Sequence, residues 1–181
     1  IGWSLGSVVA TRYANLKPES VDRLVLLAPV GGAAAVKPWA TRLLCLPFGI
    51  GMTLGLFFVR PALMRLYREE LDGYMLDGGK LLRFLAGHVK FNDALPRAIV
   101  STLANCPELD DNSKDLLAVG KLRVPVLVLW GTGDGTVRRE AIDALMQMLP
   151  HARLQVFDGL RHSLLVTAPE KVNPEIVKFL D

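Results

Sequence analysis

The pentapeptide GWSLG at residues 2–6 places a serine between two glycines, and it is the first stretch that could support chemistry. A serine hydroxyl is a weak nucleophile until a base removes its proton, and that base is usually a histidine oriented by a carboxylate. The sequence supplies both further along, as Asp134 in LVLWGTGDGTV and His162 in VFDGLRHSLLV. Ser4, Asp134 and His162 are therefore the candidate residues for nucleophilic acyl transfer.

The glycines of this pentapeptide predict a sharp turn from a strand into a helix. A glycine–x–serine–x–glycine match arises by chance in about 6% of chains this long, so it gains weight only from its context. We expect no room for side chains at Gly2 and Gly6, because strand and helix pack closely there, and a strained backbone at Ser4. The amide of Leu5, at the start of the helix, is expected to point to the same place as the hydroxyl.

Several of these residues have a second interpretation that the sequence leaves open. Asp134 either orients the histidine or only caps the helix that follows it. Asp158, four residues before His162, is another carboxylate that could share this work, although a turn-forming role suits it better. Trp3, beside the serine, is either a core residue or part of a substrate-binding wall. Of the other histidines, His88 fits a structural position in the helical stretch, and His151 fits an exposed loop.

The elements that must position these side chains form an alternating pattern. Continuous apolar runs predict strands buried on both faces of a parallel sheet, at residues 23–29, 124–131 and 153–159. Helical patterns accompany them at residues 7–16, 139–149 and 174–180. Active sites of open parallel sheets lie beyond the carboxyl ends of the strands. The serine, aspartate and histidine, each just past a strand, are therefore expected to meet at one edge.

The stretch between the first two strands is long and helical in its periodicity, which favours a helical subdomain inserted over the sheet. Within it, the apolar run 43–59 reaches only the short limit for a membrane span. Pro47 and three glycines in this run predict a pair of short helices instead, either buried or facing lipid. We therefore divide the chain into an elbow and strand region, a helical cap and the rest of the sheet core, at residues 1–30, 31–120 and 121–181.

The composition describes a globular chain without features of nucleic-acid binding. Of its 181 residues, 51% are hydrophobic and 22% charged, and the formal net charge is +3. Basic residues are dispersed among acidic ones, with no basic block interleaved with aromatics. Cys45 and Cys106 are too few for a disulfide framework and lack metal-ligand spacing, which favours buried thiols in a reducing compartment such as the cytoplasm. Localisation stays open, because a signal peptide would precede Ile1.

With these motifs in this order, the chain resembles the α/β-hydrolase superfamily. The resemblance extends over GWSLGS, VDRLVLLAP, VPVLVLWGTGD and GLRHSLLVTAPEKVNPEIVKFL, in the order serine, aspartate, histidine. It implies the C-terminal part of an α/β-hydrolase fold, a parallel sheet flanked by helices with an inserted helical cap. It also implies Ser4 as nucleophile, His162 as general base and acid, Asp134 as its orienting carboxylate and Leu5 as one oxyanion-hole donor.

The same resemblance implies a serine hydrolase that cleaves a carboxylic ester through an acyl-enzyme, with no metal or organic cofactor. The apolar cap favours a hydrophobic acyl or lipid-like ester as the small-molecule substrate and leaves peripheral membrane contact open. A carbon–carbon hydrolase or lyase on the same triad, or a non-catalytic ligand-binding protein, are the competing functions. Because such enzymes carry earlier strands and a second oxyanion-hole donor before the serine, we expect the chain to be a fragment truncated on its N-terminal side.

Overall fold

A computed structural model of the chain describes residues 1–31, 46, 49–71, 83, 87, 94–105 and 111–181. Cys45, His88 and Cys106, for which the sequence favours structural roles, lie outside these residues. The chain divides into two compact units, the first formed by Ile1–Ala35 with Asp111–Asp181 and the second by Val36–Asp110. The three-part division that the sequence suggests at residues 30 and 120 remains a prediction.

The first unit is built on a four-stranded parallel sheet. Its strands lie side by side in chain order: β1 (Gly2–Trp3), β2 (Leu24–Leu27), β3 (Val126–Gly131) and β4 (Arg153–Phe157). Trp3 pairs with Leu27, and Leu27 pairs in turn with Leu129. The three strands predicted from apolar runs are confirmed, each slightly shorter than its run, and so is the parallel sheet.

Helices and a short 3₁₀ turn at Pro18–Ser20 connect the strands. The helices of the described residues are α1 (Gly6–Leu16), α2 (Ile50–Leu71), α3 (Ala94–Asn105), α4 (Ser113–Lys121), α5 (Arg139–Met148), α6 (Leu164–Thr167) and α7 (Pro169–Leu180). The last helix begins five residues before the predicted start at Pro174, because Pro169 already occupies its first turn, where the missing N–H costs nothing.

Alternate side chains of the strands fill two apolar layers, one on each face of the sheet. On β2, Leu24 and Leu26 face a cluster that includes Leu116 of α4 and Leu145 of α5. The intervening side chains of β2 face the other cluster, which includes residues of α6 and α7 (Val25, Leu27, Leu164, Val172 and Ile176). Because both faces are covered, the central strands carry no polar side chains, and the sheet gives its loops a rigid base.

A buried carboxylate joins α1, the helix that follows Ser4, to α4. Asp115 is 2% exposed and accepts hydrogen bonds from Arg12 at 3.0 Å and Asn15 at 2.6 Å. Nearby, Ser113 donates to Asp111 through its side chain and its backbone N–H, which lowers the pKa of that exposed carboxyl. The charge-assisted bonds to Asp115 therefore fix the orientation of α1 and, with it, of the turn before the helix.

The second unit contains α2 and α3 in its described part. Residues 50–59 of the apolar run continue directly through Pro61 as one helix, rather than forming a separate short one. Pro61 lacks the N–H that would bond the carbonyl of Phe57, yet the helix continues past it. Phe57 and Phe58 are exposed and meet edge to face. Within the described residues, no helix combines the length and apolar character needed to cross a membrane.

Candidate active site

Ser4 lies in the tight turn between β1 and α1. β1 ends at Trp3, the Ser4 N–H donates to the carbonyl of Leu27 at 2.9 Å, and α1 begins at Gly6. The φ angle of Ser4 is +51°, in the left-handed region that residues other than glycine rarely adopt. The strained backbone predicted for this serine is therefore present.

The two glycines that flank Ser4 have different surroundings. A Cβ added at Gly2 would lie 2.6 Å from the carbonyl oxygen of Gly6 and 2.8 Å from the Cα of Ser7. A Cβ added at Gly6 would meet nothing within 4 Å. The prediction of close packing is thus confirmed for Gly2, whereas at Gly6 the residues that the structure describes leave room for a side chain. Of this pair, Gly2 is the glycine that packing among the described residues requires.

His162 lies between Ser4 and Asp134 and hydrogen-bonds to both. Its Nε2 is 2.8 Å from the Ser4 Oγ, and its Nδ1 is 2.9 Å from Oδ2 of Asp134. An ionised carboxylate can only accept, so Nδ1 carries the proton and Nε2 is free to accept from the serine hydroxyl. The structure therefore brings together the three residues that the sequence selected, from positions 130 and 28 residues apart along the chain (134 − 4 and 162 − 134).

Of the two roles that the sequence left open for Asp134, capping of the following helix is not observed, since α5 has Arg138 as its N-cap residue and no side-chain cap bond. The Oδ1 atom of this aspartate accepts the backbone N–H groups of Thr136 and Val137, both at 2.8 Å, while Oδ2 faces His162. The indole of Trp130 donates to the carbonyl of Val137 at 2.9 Å and so braces the same loop. The side chain of Asp134 is fully buried. A carboxylate fixed in this way holds the imidazole in one tautomer and one orientation.

A threonine that no sequence motif marks connects the loops that follow β3 and β4. The hydroxyl of Thr132 donates to Asp158 and accepts the N–H of Gly159, both at 2.8 Å. A backbone bond from Gly133 to the carbonyl of Leu160, at 2.9 Å, lies beside this pair. These bonds hold the aspartate loop and the histidine loop at a fixed separation. The sequence does not predict these bonds of Thr132, because a threonine in a Gly-rich loop can make many other contacts.

The remaining candidates occupy distinct places. Leu5 is the N-cap residue of α1, where the first amides have no carbonyl partner within the helix. Trp3 is 38% exposed, and its indole N–H donates to the backbone carbonyl of His162 at 3.2 Å. Asp158 bonds Thr132, and His151 is exposed and lies 3.2 Å from the carbonyl of Val124. A turn-forming role for Asp158 and a loop position for His151 agree with these contacts.

The electrostatics of this cluster depend on its burial. His162 and Asp134 are 6% and 7% exposed, so their attraction is weakly screened by water and salt. The arrangement can move a proton from the Ser4 hydroxyl to the imidazole and stabilise the resulting cation beside a carboxylate. Among the residues that the structure describes, no group of three His, Cys, Asp or Glu side chains is placed to hold a metal ion.

Replacing Gly131 with alanine should destabilise the fold and impair any activity of this site. Gly131 ends β3, and an added Cβ would lie 2.1 Å from the carbonyl oxygen of Leu160, a backbone atom of the histidine loop. We expect the free energy of unfolding to fall by about 2–3 kcal/mol, as in overpacked sites. Urea unfolding measures this loss.

Gly135, in the same loop as Asp134, provides the matched control for Gly131. A Cβ added there meets nothing within 4 Å. We expect Gly135→Ala to change the free energy of unfolding by no more than about 0.5 kcal/mol. Equal stability of the two variants would contradict the close approach of β3 to the histidine loop.

Comparison with known proteins finds similarity over nearly the whole chain. A family model described as "Alpha/beta hydrolase family" matches residues 1–175. The chain is 27% identical over 195 residues to a pimeloyl-[acyl-carrier protein] methyl ester esterase of Photobacterium profundum, covering 99% of this chain and 69% of that protein. It is also 27% identical to a 2-hydroxy-6-oxononadienedioate/2-hydroxy-6-oxononatrienedioate hydrolase of Paraburkholderia xenovorans, covering 99% of this chain and 61% of that one.

A solved structure has the same fold. The thermophilic esterase of Thermogutta terrifontis superimposes with a TM-score of 0.67 at 19% identity, covering 99% of this chain and 62% of the esterase. At this identity the likeness concerns the fold alone. The chain thus spans between 61% and 69% of the length of these three proteins.

Proposed function

Because the chain belongs to the alpha/beta hydrolase family, we propose that it carries the catalytic residues of a serine hydrolase that cleaves carboxylic esters. Ser4 is the nucleophile, His162 the general base and acid, and Asp134 the carboxylate that orients the histidine. The observation that carries this proposal is the continuous chain of hydrogen bonds from Ser4 through His162 to Asp134, at 2.8 and 2.9 Å. Distances in this range allow direct proton transfer between the serine and the imidazole.

In the first half of the reaction, the Ser4 oxygen attacks the ester carbonyl carbon while His162 Nε2 takes the hydroxyl proton. The resulting imidazolium lies against the buried Asp134, which stabilises its charge. The carbonyl oxygen becomes an oxyanion, and the proposed donor to it is the amide of Leu5, the N-cap residue of α1. When the bond between the carbonyl carbon and the leaving oxygen breaks, His162 returns its proton to the leaving alcohol.

In the second half, water replaces the alcohol and releases the acid. His162 takes a proton from water, whose oxygen attacks the acyl carbon bound to Ser4. The tetrahedral intermediate then collapses, the bond to the serine oxygen breaks, and that oxygen recovers a proton from the imidazolium. The same histidine therefore serves both steps, and its orientation matters throughout the cycle.

The acyl group of the substrate is proposed to be hydrophobic. Two features support this choice: the apolar residues of the run 43–59, and relatives that act on the methyl ester of a pimeloyl group carried by a protein. Each buried methylene contributes about 0.8 kcal/mol, which is about fourfold in kcat/KM.

On a series of p-nitrophenyl esters, we therefore expect kcat/KM to rise from acetate to octanoate by at least about tenfold. The natural protein should be used, with initial rates measured at low substrate concentration. Two p-nitrophenyl esters of equal length, one ending in a carboxylate, serve as the matched pair that separates apolar from charged recognition. If kcat/KM is highest for the acetate, the preference for a hydrophobic acyl group is wrong, while the proposal of ester hydrolysis stands.

Hydrolysis of a carbon–carbon bond is the second candidate function. It is favoured by the relative from Paraburkholderia xenovorans, whose substrate name contains an oxo group and two carboxylates but no ester. The same serine, histidine and aspartate would be used. The test substrate is a 2-hydroxy-6-oxo-dienoate, and its turnover is measured as the loss of its absorbance. Turnover of this substrate without activity on any ester of the series would favour this function over the first.

A further inference from the structure

Trp3 makes a contact that the proposed reaction does not by itself require. Its indole N–H donates to the backbone carbonyl of His162 at 3.2 Å, and the two rings lie 6.4 Å apart at a tilt of 35°. Trp3, the last residue of β1, and Ser4, which follows it, therefore bond the same histidine: Ser4 bonds its imidazole, and Trp3 bonds its main chain.

The anchor of this contact is rigid. The backbone of Trp3 pairs with Leu27 in the sheet, and the preceding Gly2 is packed tightly against α1. The loop that receives the bond is less regular, since it leaves β4 through Gly159, whose φ is +70°. A bond from a sheet residue to a loop carbonyl restrains the loop more than the sheet, because the sheet residue is held independently.

The contact differs from the Ser4–His162 bond in one respect that matters during catalysis. Once Ser4 is acylated, its oxygen is esterified and has no proton to donate to His162 Nε2. The bond from Trp3 involves only the indole and a backbone carbonyl, so it persists in the acyl-enzyme. At that stage Asp134 still bonds the imidazole of His162, and Trp3 still bonds the backbone carbonyl of the same residue.

We propose that Trp3 is a positioning residue that holds His162 in place for deacylation, when the serine no longer does so. This inference rests on the proposed function. The sequence left Trp3 open as a core residue or as part of a substrate-binding wall, and the role proposed here is a further one. The bond from Trp3 affects the second half of the reaction more than the first. Misplacement of a general base by a fraction of an ångström lowers the rate of proton transfer steeply.

The test replaces Trp3 with 3-benzothienylalanine, site-specifically in the natural protein. This residue has nearly the shape of tryptophan but a sulfur in place of the N–H. Acylation by p-nitrophenyl octanoate is followed by p-nitrophenolate release, and decay of the acyl-enzyme by mass spectrometry in a single turnover. We expect decay to slow by about tenfold, as for one lost hydrogen bond, and acylation to change by less than about threefold.

In the steady state, the same variant should lower kcat and KM together, with kcat/KM nearly unchanged and a burst of about one p-nitrophenolate per site. Trp3→Phe, which also lacks the donor, should give the same pattern if it folds. Tyr13→Phe, an exposed aromatic position on α1, is the control and should leave both steps unchanged.

Three results would overturn the inference. A raised KM at constant kcat would make Trp3 a substrate contact only, and a smaller burst with unchanged rate constants per active site would make it a structural residue. Equal rates of decay in the parent and the benzothienyl variant would show that the hydrogen bond has no role. If the unmodified protein forms no acyl-enzyme, in contrast, the proposed function itself is wrong, and the role of Trp3 in deacylation is wrong with it.

Discussion

Replacing Ser4 with alanine is expected to lower kcat for ester hydrolysis by about five to six orders of magnitude, the loss seen when such a nucleophile is removed. The variant lacks the oxygen that forms the acyl-enzyme, while Asp134 and His162 keep their mutual bond. Its fold should be intact, because the alanine removes only a hydroxyl that points at the imidazole. Steady-state rates on p-nitrophenyl octanoate and labelling with a fluorophosphonate probe measure the two consequences.

Ser20→Ala is the matched control for this experiment. Ser20 is an exposed serine in the 3₁₀ turn at Pro18–Ser20, and its loss should change neither the rate nor the labelling. The probe should add to Ser4 in the parent and in the control, and to neither serine in Ser4→Ala. If Ser4→Ala retains more than about 1% of the parental kcat, or is still labelled, the assignment of the nucleophile is wrong.

Asp134→Asn should lower kcat by about four orders of magnitude, even though it changes a single atom. Oδ1 of Asp134 accepts two backbone N–H groups, from Thr136 and Val137, and only an oxygen can take its place. The new NH₂ group must then face His162. Because that group donates, Nδ1 becomes the acceptor and Nε2 carries the proton, so the imidazole can no longer accept the proton of Ser4.

The matched control for this change is Asp158→Asn, on the neighbouring loop. Asp158 accepts one hydrogen bond, from the hydroxyl of Thr132, and an amide oxygen can replace it there. We expect a loss of no more than a few-fold in kcat. Steady-state kinetics of both variants, with thermal unfolding to confirm equal stability, decide the matter. Comparable losses in the two would mean that the carboxylates share the work, as the sequence alone allowed.

The positions of the candidate residues could be predicted because each follows a recognisable strand. Runs of branched apolar residues reveal buried parallel strands, and the carboxyl ends of such strands lie at one edge of the sheet. That reasoning suffices to bring together Ser4, Asp134 and His162, without knowledge of any distance. The strained backbone expected at Ser4 could also be predicted, from the glycines on either side of it, and in the structure it takes the left-handed form.

The contacts that support these residues could not be predicted in the same way. The acceptor of the Trp3 indole is a backbone carbonyl, which every residue possesses, so no sequence pattern marks it. The bond between Thr132 and Asp158 depends on the separation of two loops. At Gly6, the sequence indicates close packing because the pentapeptide usually implies it, whereas no described residue lies within 4 Å of a Cβ added there.

The left-handed backbone at Ser4 is accompanied by a second one at Ala28, with φ of +41°. Ser4 follows Trp3 and Ala28 follows Leu27, and Trp3 and Leu27 are paired in the sheet. The two neighbouring strands therefore end at the same level in a backbone conformation that glycine adopts at lower cost. Replacing Ser4 with glycine would relieve this strain and would also remove the hydroxyl that bonds His162. The hydroxyl that bonds His162 is therefore held at this edge of the sheet at a cost in thermodynamic stability.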